Sequence, residues 1–476
     1  MFVFRNIFIT AISVSAGGAL HFGFQLVATD PSENSFISFV KNSIEIHYGK
    51  KLEKSILESI WSVIVALFFV GAILGALSLR FVSEKFGRRN GLIFAYFINF
   101  LSINSFELYS ISRLTLGFGL CLSLGIGALY LSEISQKRIR GIVGMSTGIS
   151  VQLGLVIGSL VAMPEVLGSG SRWWMMYGGE GVIFLSALLV VRLLPDSPGY
   201  LLKNGKEESA KNSLIFFQNI NEEEVKLKID ELKREIDESS QMGLFEILKV
   251  KEKRKRVVIS VVMFIGTAFS GVAAINAFAV DILKSSGFSV SSASYLNAGL
   301  SFVSFVAACF SSFLVDKTGR RPLLLWSNVG ILFCNIFIGG LLIIHDHMSS
   351  PSLSVLLIIC MGLFLIFFAL GPGPLSYFIP TELSSQNSRS ASQAWASLTQ
   401  MTCRSILLAA FLPLKVAVGS GFCYIILFIA PITMATVYLY FNLPETKNRD
   451  QKEVTEAFKE LPKVFWKQEK KTNMPI

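Results

Sequence analysis

Long apolar runs alternate with short charged islands from one end of the chain to the other. The first run, over 1–27, carries one early arginine and approaches the ~20 residues that cross a bilayer. So sparse a basic start is a poor signal-peptide opening, so the run is read as a membrane helix entering from the cytoplasm. Polar residues 29–54 are expected to form an outer loop, and a second helix follows near 55–79. The third and fourth share the span from Gly91 to Leu131, with Glu107 and Arg113 expected at their outer turn. The fifth covers 141–163. The sixth starts beside Trp173 and Trp174, an interfacial belt position, and ends at Leu194. Six more are expected near 256–283, 290–315, 322–344, 352–378, 390–413 and 420–441.

The islands repeat. R-F-V-S-E-K-F-G-R-R-N at 80–90 returns as V-D-K-T-G-R-R-P at 315–322, about 230 residues later, and self-similarity over such a distance points to duplication. S-E-I-S-Q-K-R-I-R-G at 132–141 is answered by T-E-L-S-S-Q-N-S-R-S at 381–390, each with Glu and then Arg seven positions on. L-P-D-S-P at 194–198 is answered by L-P-E-T-K at 443–447. The pattern predicts an all-α membrane protein with twelve transmembrane helices in two six-helix halves. The expected divisions are an N-terminal half at 1–199, a cytoplasmic helical linker at 200–255, a C-terminal half at 256–445 and a cytoplasmic tail at 446–476. In the linker Val225, Ile229, Leu232 and Ile236 recur at helical spacing, so one or two amphipathic surface helices are expected. The basic run at 249–256 reads as a cytoplasmic flank able to meet anionic lipid.

Composition agrees with this plan. Only 16% of the 476 residues are charged and 52% are hydrophobic, against about 25% charged in a soluble domain. The net charge of +10 needs no nucleic-acid partner, because most Lys and Arg fall on the cytoplasmic side of this topology. Cys121, Cys309, Cys334, Cys360, Cys403 and Cys423 lie in apolar runs and read as buried thiols. Nothing resembles a nucleotide loop, a catalytic triad or a metal cluster, so no enzyme, cofactor or metal is expected. The expected partners are a small solute and membrane lipid. A monomer can suffice.

Polar side chains at membrane depth are costly and usually face a cavity. Gln152 sits in a Gly-rich run, Asn276 in A-I-N-A, and His21 and Gln25 share a helical face. Gln393, Ser397, Gln400 and Arg404 form a second stripe. Arg404 is about 14 Å from the end of its run at Pro413, counting 1.5 Å per residue. Three readings are open for it: an ion pair with Glu180, a cationic anchor for an anionic or strongly hydrogen-bonding solute, or snorkelling.

These islands resemble the sugar porter family of the major facilitator superfamily, in particular the animal facilitative glucose transporters (solute carrier family 2). The likeness rests on G-R-R at 87–89 and 319–321, Glu133 with Arg140, P-D-S-P at 195–198, G-P-G-P at 371–374, Glu382 with Arg389, and P-E-T-K at 444–447. It implies a cytoplasmic gate of Arg88, Arg89, Glu133, Arg140, Asp196, Arg320, Arg321, Glu382, Arg389 and Glu445, in which wetted ion pairs of roughly 0–1 kcal/mol each latch the halves. It also implies sugar contacts at Gln152 and Asn276. Elsewhere the family's polar set falls on other residues: Ser270 with Gly271 for a Gln pair, Ser304 for Asn, Ala369 for an acid, Tyr377 for Trp, and Gln400-Met401 for Asn-Trp. Gly199 stands where the family has Arg, which is expected to loosen the latch. Gln25 stands where proton-coupled relatives have Asp, which favours passive transport over Asp281 as a proton site. The expected function is uniport of a hexose or related sugar across the plasma membrane, with both termini cytoplasmic. The alternatives are carriage of an organic anion such as urate, or a non-transporting sugar sensor on the same scaffold.

Overall fold

A computed structural model describes residues 5–28, 33–49, 52–100, 106–136, 138–163, 165–168, 172, 174–237, 242–276, 289–347, 351–449 and 451–461. The apolar runs are helices, as hydrocarbon requires of a chain whose backbone polar groups must pair internally. The first half comprises α1 (Arg5–Val27), α2 (Glu33–Tyr48), α3 (Lys54–Lys85), α4 (Gly87–Phe100), α5 (Phe106–Ile134), α6 (Arg140–Val161) and α7 (Trp174–Arg192). Three short helices bridge the halves: α8 (Pro198–Lys203), α9 (Glu207–Gln218) and α10 (Glu222–Asp237). The second half comprises α11 (Lys251–Ala268), α12 (Val290–Thr318), α13 (Arg320–His347), α14 (Pro351–Leu370), α15 (Pro372–Leu383), α16 (Arg389–Val418) and α17 (Gly421–Asn442). A last helix, α18 (Gln451–Glu460), follows.

Ten spans among the described residues are long and apolar enough to cross a membrane, with α14 and α15 joined as one. The other two crossings are α4, described only to Phe100, and α16, whose polar stripe lowers its hydropathy although it is 30 residues long. The result is the twelve-helix major facilitator fold. The islands gather at one end of the bundle, here termed the charged face.

Three expectations change. The polar loop after the first span contains α2, whose Phe36, Val40 and Ile44 are buried against Leu57, Trp61, Ile64 and Tyr109. Arg113 is not at a turn: it is 2% exposed, well inside α5. The start of the tail is the helix α18, where Arg256 donates to Thr455 and lies over the Phe458 ring. Trp173, Asp281 and the tail beyond Leu461 lie outside the described residues, as does the side chain of Glu107. In the linker, Val225 and Ile229 of α10 bury against Leu201, Ala210 and Leu214, as amphipathic spacing requires. The six cysteines form no disulfide with one another; Cys121, Cys334, Cys360 and Cys423 are buried as expected, while Cys309 and Cys403 are only partly so.

The halves meet through α6 against α12 and α15, and through α3 against α16. At Gly148 the ring and backbone of Pro374 come so close that a Cβ would overlap them. A buried cluster continues the contact at membrane depth, joining Phe22, Phe68 and Val151 to Phe264, Tyr377 and Met401.

Candidate functional site

On the charged face the two halves carry the same construction. Gly87 and Gly319 open α4 and α13, and a distant carboxylate caps each helix start, where free N–H groups attract an anion. Asp196 Oδ1 accepts from the backbone N–H of Arg88 (3.0 Å), Arg89 (3.3 Å) and Ser197 (2.8 Å). Glu445 accepts from the N–H of Arg320 (3.0 Å), Arg321 (3.1 Å), Thr446 (2.9 Å) and Lys447 (2.9 Å). Burial pushes the Asp196 carboxyl up from its ordinary range, against the pull of these N–H groups and of the Arg88 charge. The Arg88 guanidinium then reaches Glu133 at 2.8 Å and the Ser83 carbonyl at 3.1 Å. Arg320 reaches Glu382 at 3.4 Å, Asp316 at 3.1 Å and the Val315 carbonyl at 3.4 Å. Arg89 and Arg321 each donate to a carbonyl at the end of a sixth helix, Arg192 and Tyr440 respectively.

The partners therefore differ from those the spacing suggested. Glu133 and Glu382 bind the arginines of the G-R-R turns, not Arg140 and Arg389 seven positions on. Arg140 makes no hydrogen bond or ion pair among the described residues. Arg389 donates to the Thr381 carbonyl (3.0 Å) and to Gln386 Oε1 (2.8 Å), and faces Glu133 of the other half electrostatically. The Arg88–Glu133 and Arg320–Glu382 pairs are buried, so the weak-surface-pair figure does not apply, and removing one partner costs about 3–5 kcal/mol.

Contacts between the halves close this face. Ser390 Oγ donates to Glu84 at 2.5 Å. Asn387 and Trp395 donate to the Ile236 and Leu244 carbonyls of the linker, at 2.8 and 2.7 Å. Gly199 leaves no gap: the Gln386 amide, held by Arg389, occupies the space where a Cβ would stand. The expected loosening is thus replaced by a knob from the second half seated on the first.

At membrane depth the first half holds a closed polar network. His21 Nδ1 is 3.1 Å from Glu180 Oε1, Gln25 Nε2 donates to Glu180 Oε2 at 2.6 Å, and Arg113 donates to Gln25 Oε1. The His21 ring stacks on Phe184 at 3.7 Å, and Arg113 lies 5.0 Å over Phe68. One acid and one arginine are joined through an amide, so the set is charge-balanced when His21 is neutral. His21 and Gln25 are therefore committed to Glu180, and of the three readings open for Arg404 the ion pair with Glu180 does not form.

The remaining candidates divide. Helix α11 stops at Ala268 and resumes at 272. Ser270, at the break, is fully buried; its hydroxyl donates back to Thr267, and its carbonyl accepts from Asn335, which Tyr424 bonds in turn. Its bonds run to other residues of the second half. Asn276 is partly exposed just past the break. Ser304 Oγ and Gln152 Oε1 are buried without a hydrogen-bond partner. Gln400 Nε2 donates to the Tyr377 hydroxyl at 2.9 Å. Arg404 is 6% exposed and lies 5.4 Å over the Phe22 ring of the other half, with no hydrogen bond or ion pair among the described residues. Sequence reasoning set Arg113 at an outer turn and missed its place in this buried network. The signal was there, since an arginine inside an apolar run is itself a marker.

Comparison with known proteins places this arrangement. The family described as "Sugar (and other) transporter" matches residues 10–458. Facilitated glucose transporter member 3 of solute carrier family 2 from Ovis aries is 28% identical over 94% of this chain and 92% of its own length, and the Homo sapiens protein of that name gives the same figures. Member 1 from Gallus gallus is 28% identical over 94% and 93%. Among solved structures, the proton:xylose symporter XylE bound to 6-bromo-6-deoxy-D-glucose superposes with a TM-score of 0.82, at 20% identity over 95% of this chain and 99% of that one. The inward-open form of XylE from E. coli, also at 20% identity and covering 95% and 100%, scores 0.69. With that match across nearly its whole length, and the paired charged clusters that frame it, the chain belongs to the sugar (and other) transporter family of membrane transporters.

Proposed function

We propose that the protein is a facilitative transporter of a small hydroxylated solute, a hexose or related sugar, working by alternating access, for which a monomer suffices, in the plasma membrane with both termini cytoplasmic. The observation that carries this reading is the pair of matching clusters, Arg88–Glu133–Asp196 and Arg320–Glu382–Glu445, at one closed end of two helical halves. Each cluster fixes its own half as a rigid unit. At the charged face the polar contacts between the halves, such as Ser390 to Glu84 and Gln386 on Gly199, are exchangeable. Differential solute binding of modest size can then open that face. On this reading the charged face is the cytoplasmic one, and these contacts hold it closed.

Gln25 supports transport without protons. An amide cannot take and release a proton, and this one is bound on both sides, to Glu180 and to Arg113. The test is uptake of labelled hexoses, polyols and organic anions such as urate or sugar acids into proteoliposomes, with acceleration by solute on the opposite side. Folded protein that moves none of them would overturn the reading. Accumulation driven by an imposed inward pH gradient, and abolished by a protonophore, would overturn the uncoupled form alone.

A further inference from the structure

We infer that the solute carries an acidic group: the central site is built for a hydroxylated carboxylate, a sugar acid, in preference to a neutral hexose. The inference rests on the transport reading above and narrows its solute class. Arg404 is a buried guanidinium with no acid and no acceptor within bonding distance among the described residues. One planar face is covered by Phe22 of the opposite half, which leaves the N–H edge free. An arginine so placed at membrane depth calls for an anion, because otherwise its charge stands uncompensated where water is scarce.

A second observation points the same way. Tyr377 interacts electrostatically with Arg404. Its hydroxyl oxygen already accepts from Gln400 Nε2, and its O–H proton has no acceptor among the described residues. The Arg404 end of the site thus offers donors in surplus, a planar fork and a phenol, suited to the two oxygens of a carboxylate. The other wall offers the reverse. Gln152 Oε1 is a buried acceptor without a donor. Gln152 lies about 18 Å along α6 from Arg140, and Arg404 about 22 Å along α16 from Arg389, at 1.5 Å per residue, so the two sit at similar depth on opposite halves. The N-half arginine gives no such signal, because Arg113 is already tied through Gln25 to Glu180. A ligand with a carboxylate at one end and hydroxyl donors at the other satisfies both walls. A neutral sugar would leave the Arg404 charge uncompensated.

The experiment uses the full chain in proteoliposomes, with glucose, glucuronate, gluconate and mannitol as the probes. Wild type is expected to carry glucuronate or gluconate at least tenfold more efficiently (kcat/KM) than glucose. Arg404→Gln is expected to collapse that ratio to near one by raising KM for the acids. Arg404→Lys, which keeps the charge but not the fork, should give an intermediate ratio, and Tyr377→Phe should lower the ratio about threefold. If wild type carries glucose well and neither acid is carried or competes, the inference is wrong while the transport reading stands. If Arg404→Gln folds and keeps the wild-type ratio, the inference is wrong as well. If no probe moves through folded wild type, the transport reading itself fails. Should Arg404→Gln not fold, the wild-type panel and Tyr377→Phe decide.

Discussion

Each half of the molecule places one arginine at membrane depth, and the two are treated in opposite ways. Arg113 lies over Phe68 and is tied through Gln25 to Glu180, whose other oxygen meets His21. Arg404 lies over Phe22 and is tied to nothing among the described residues. Both have the aromatic cushion, but only one has the counter-charge. The difference separates a structural charge, whose network belongs to the packing of α1, α5 and α7, from a charge that no acid among the described residues compensates. The charged face shows the contrary case, where duplication kept both copies alike down to the carboxylate capping each G-R-R turn.

The sharpest way to break this comparison is to remove the acid. Glu180→Ala strands Arg113 and leaves His21 and Gln25 without their acceptor, so it is expected to cost about 3–5 kcal/mol and to lower the melting midpoint steeply in detergent. Arg404→Gln removes a charge that has no partner to strand, and its midpoint should match or exceed wild type. Equal losses in the two variants would erase the distinction between the arginines.

A smaller effect is expected at the contact between the halves. Gly148→Ala sets a Cβ into Pro374, where neither the ring nor the backbone can swing aside, so overpacking should cost about 1–3 kcal/mol of the closed state. The expected readout is faster thiol labelling of a cysteine placed at Ser146, with the melting midpoint of each half's core little changed. Unchanged labelling would mean that α6 and α15 part without difficulty. The smallest effect belongs to Ser390→Ala, which removes one hydrogen bond to Glu84 and should shift the same labelling by the equivalent of about 1 kcal/mol. A shift as large as that of Gly148→Ala would make Ser390 a principal latch.

Much of the site was visible in the chain, though not its wiring. The resemblance grouped Arg88, Glu133, Asp196, Arg320, Glu382 and Glu445 in one gate between the halves, whereas in the structure they bond as two clusters, one within each half. The recurrence of Glu with Arg seven positions on in both islands read as a pairing of Glu133 with Arg140 and of Glu382 with Arg389. In the structure each island's helix breaks between those residues, and the acids turn to the preceding G-R-R arginines instead. Gly199 misled for a related reason. A missing side chain reads as a gap along the chain, but in space Gln386 of the other half fills it.

The sequence by itself determined that the chain is a duplicated twelve-span membrane protein, which side of the bundle holds its charges, and which residues are too polar to face lipid. Those properties follow from hydropathy, helical period and repeat, and all three are local. The tertiary structure alone decided which of those polar residues satisfy one another. Glu180 could have met Arg404 or the α1 pair, and no spacing distinguishes partners 155 residues apart from partners 224 residues apart. Packing of α1 against α7 sets His21 and Gln25 on the two oxygens of the acid, and Arg404 has no hydrogen bond or ion pair among the described residues.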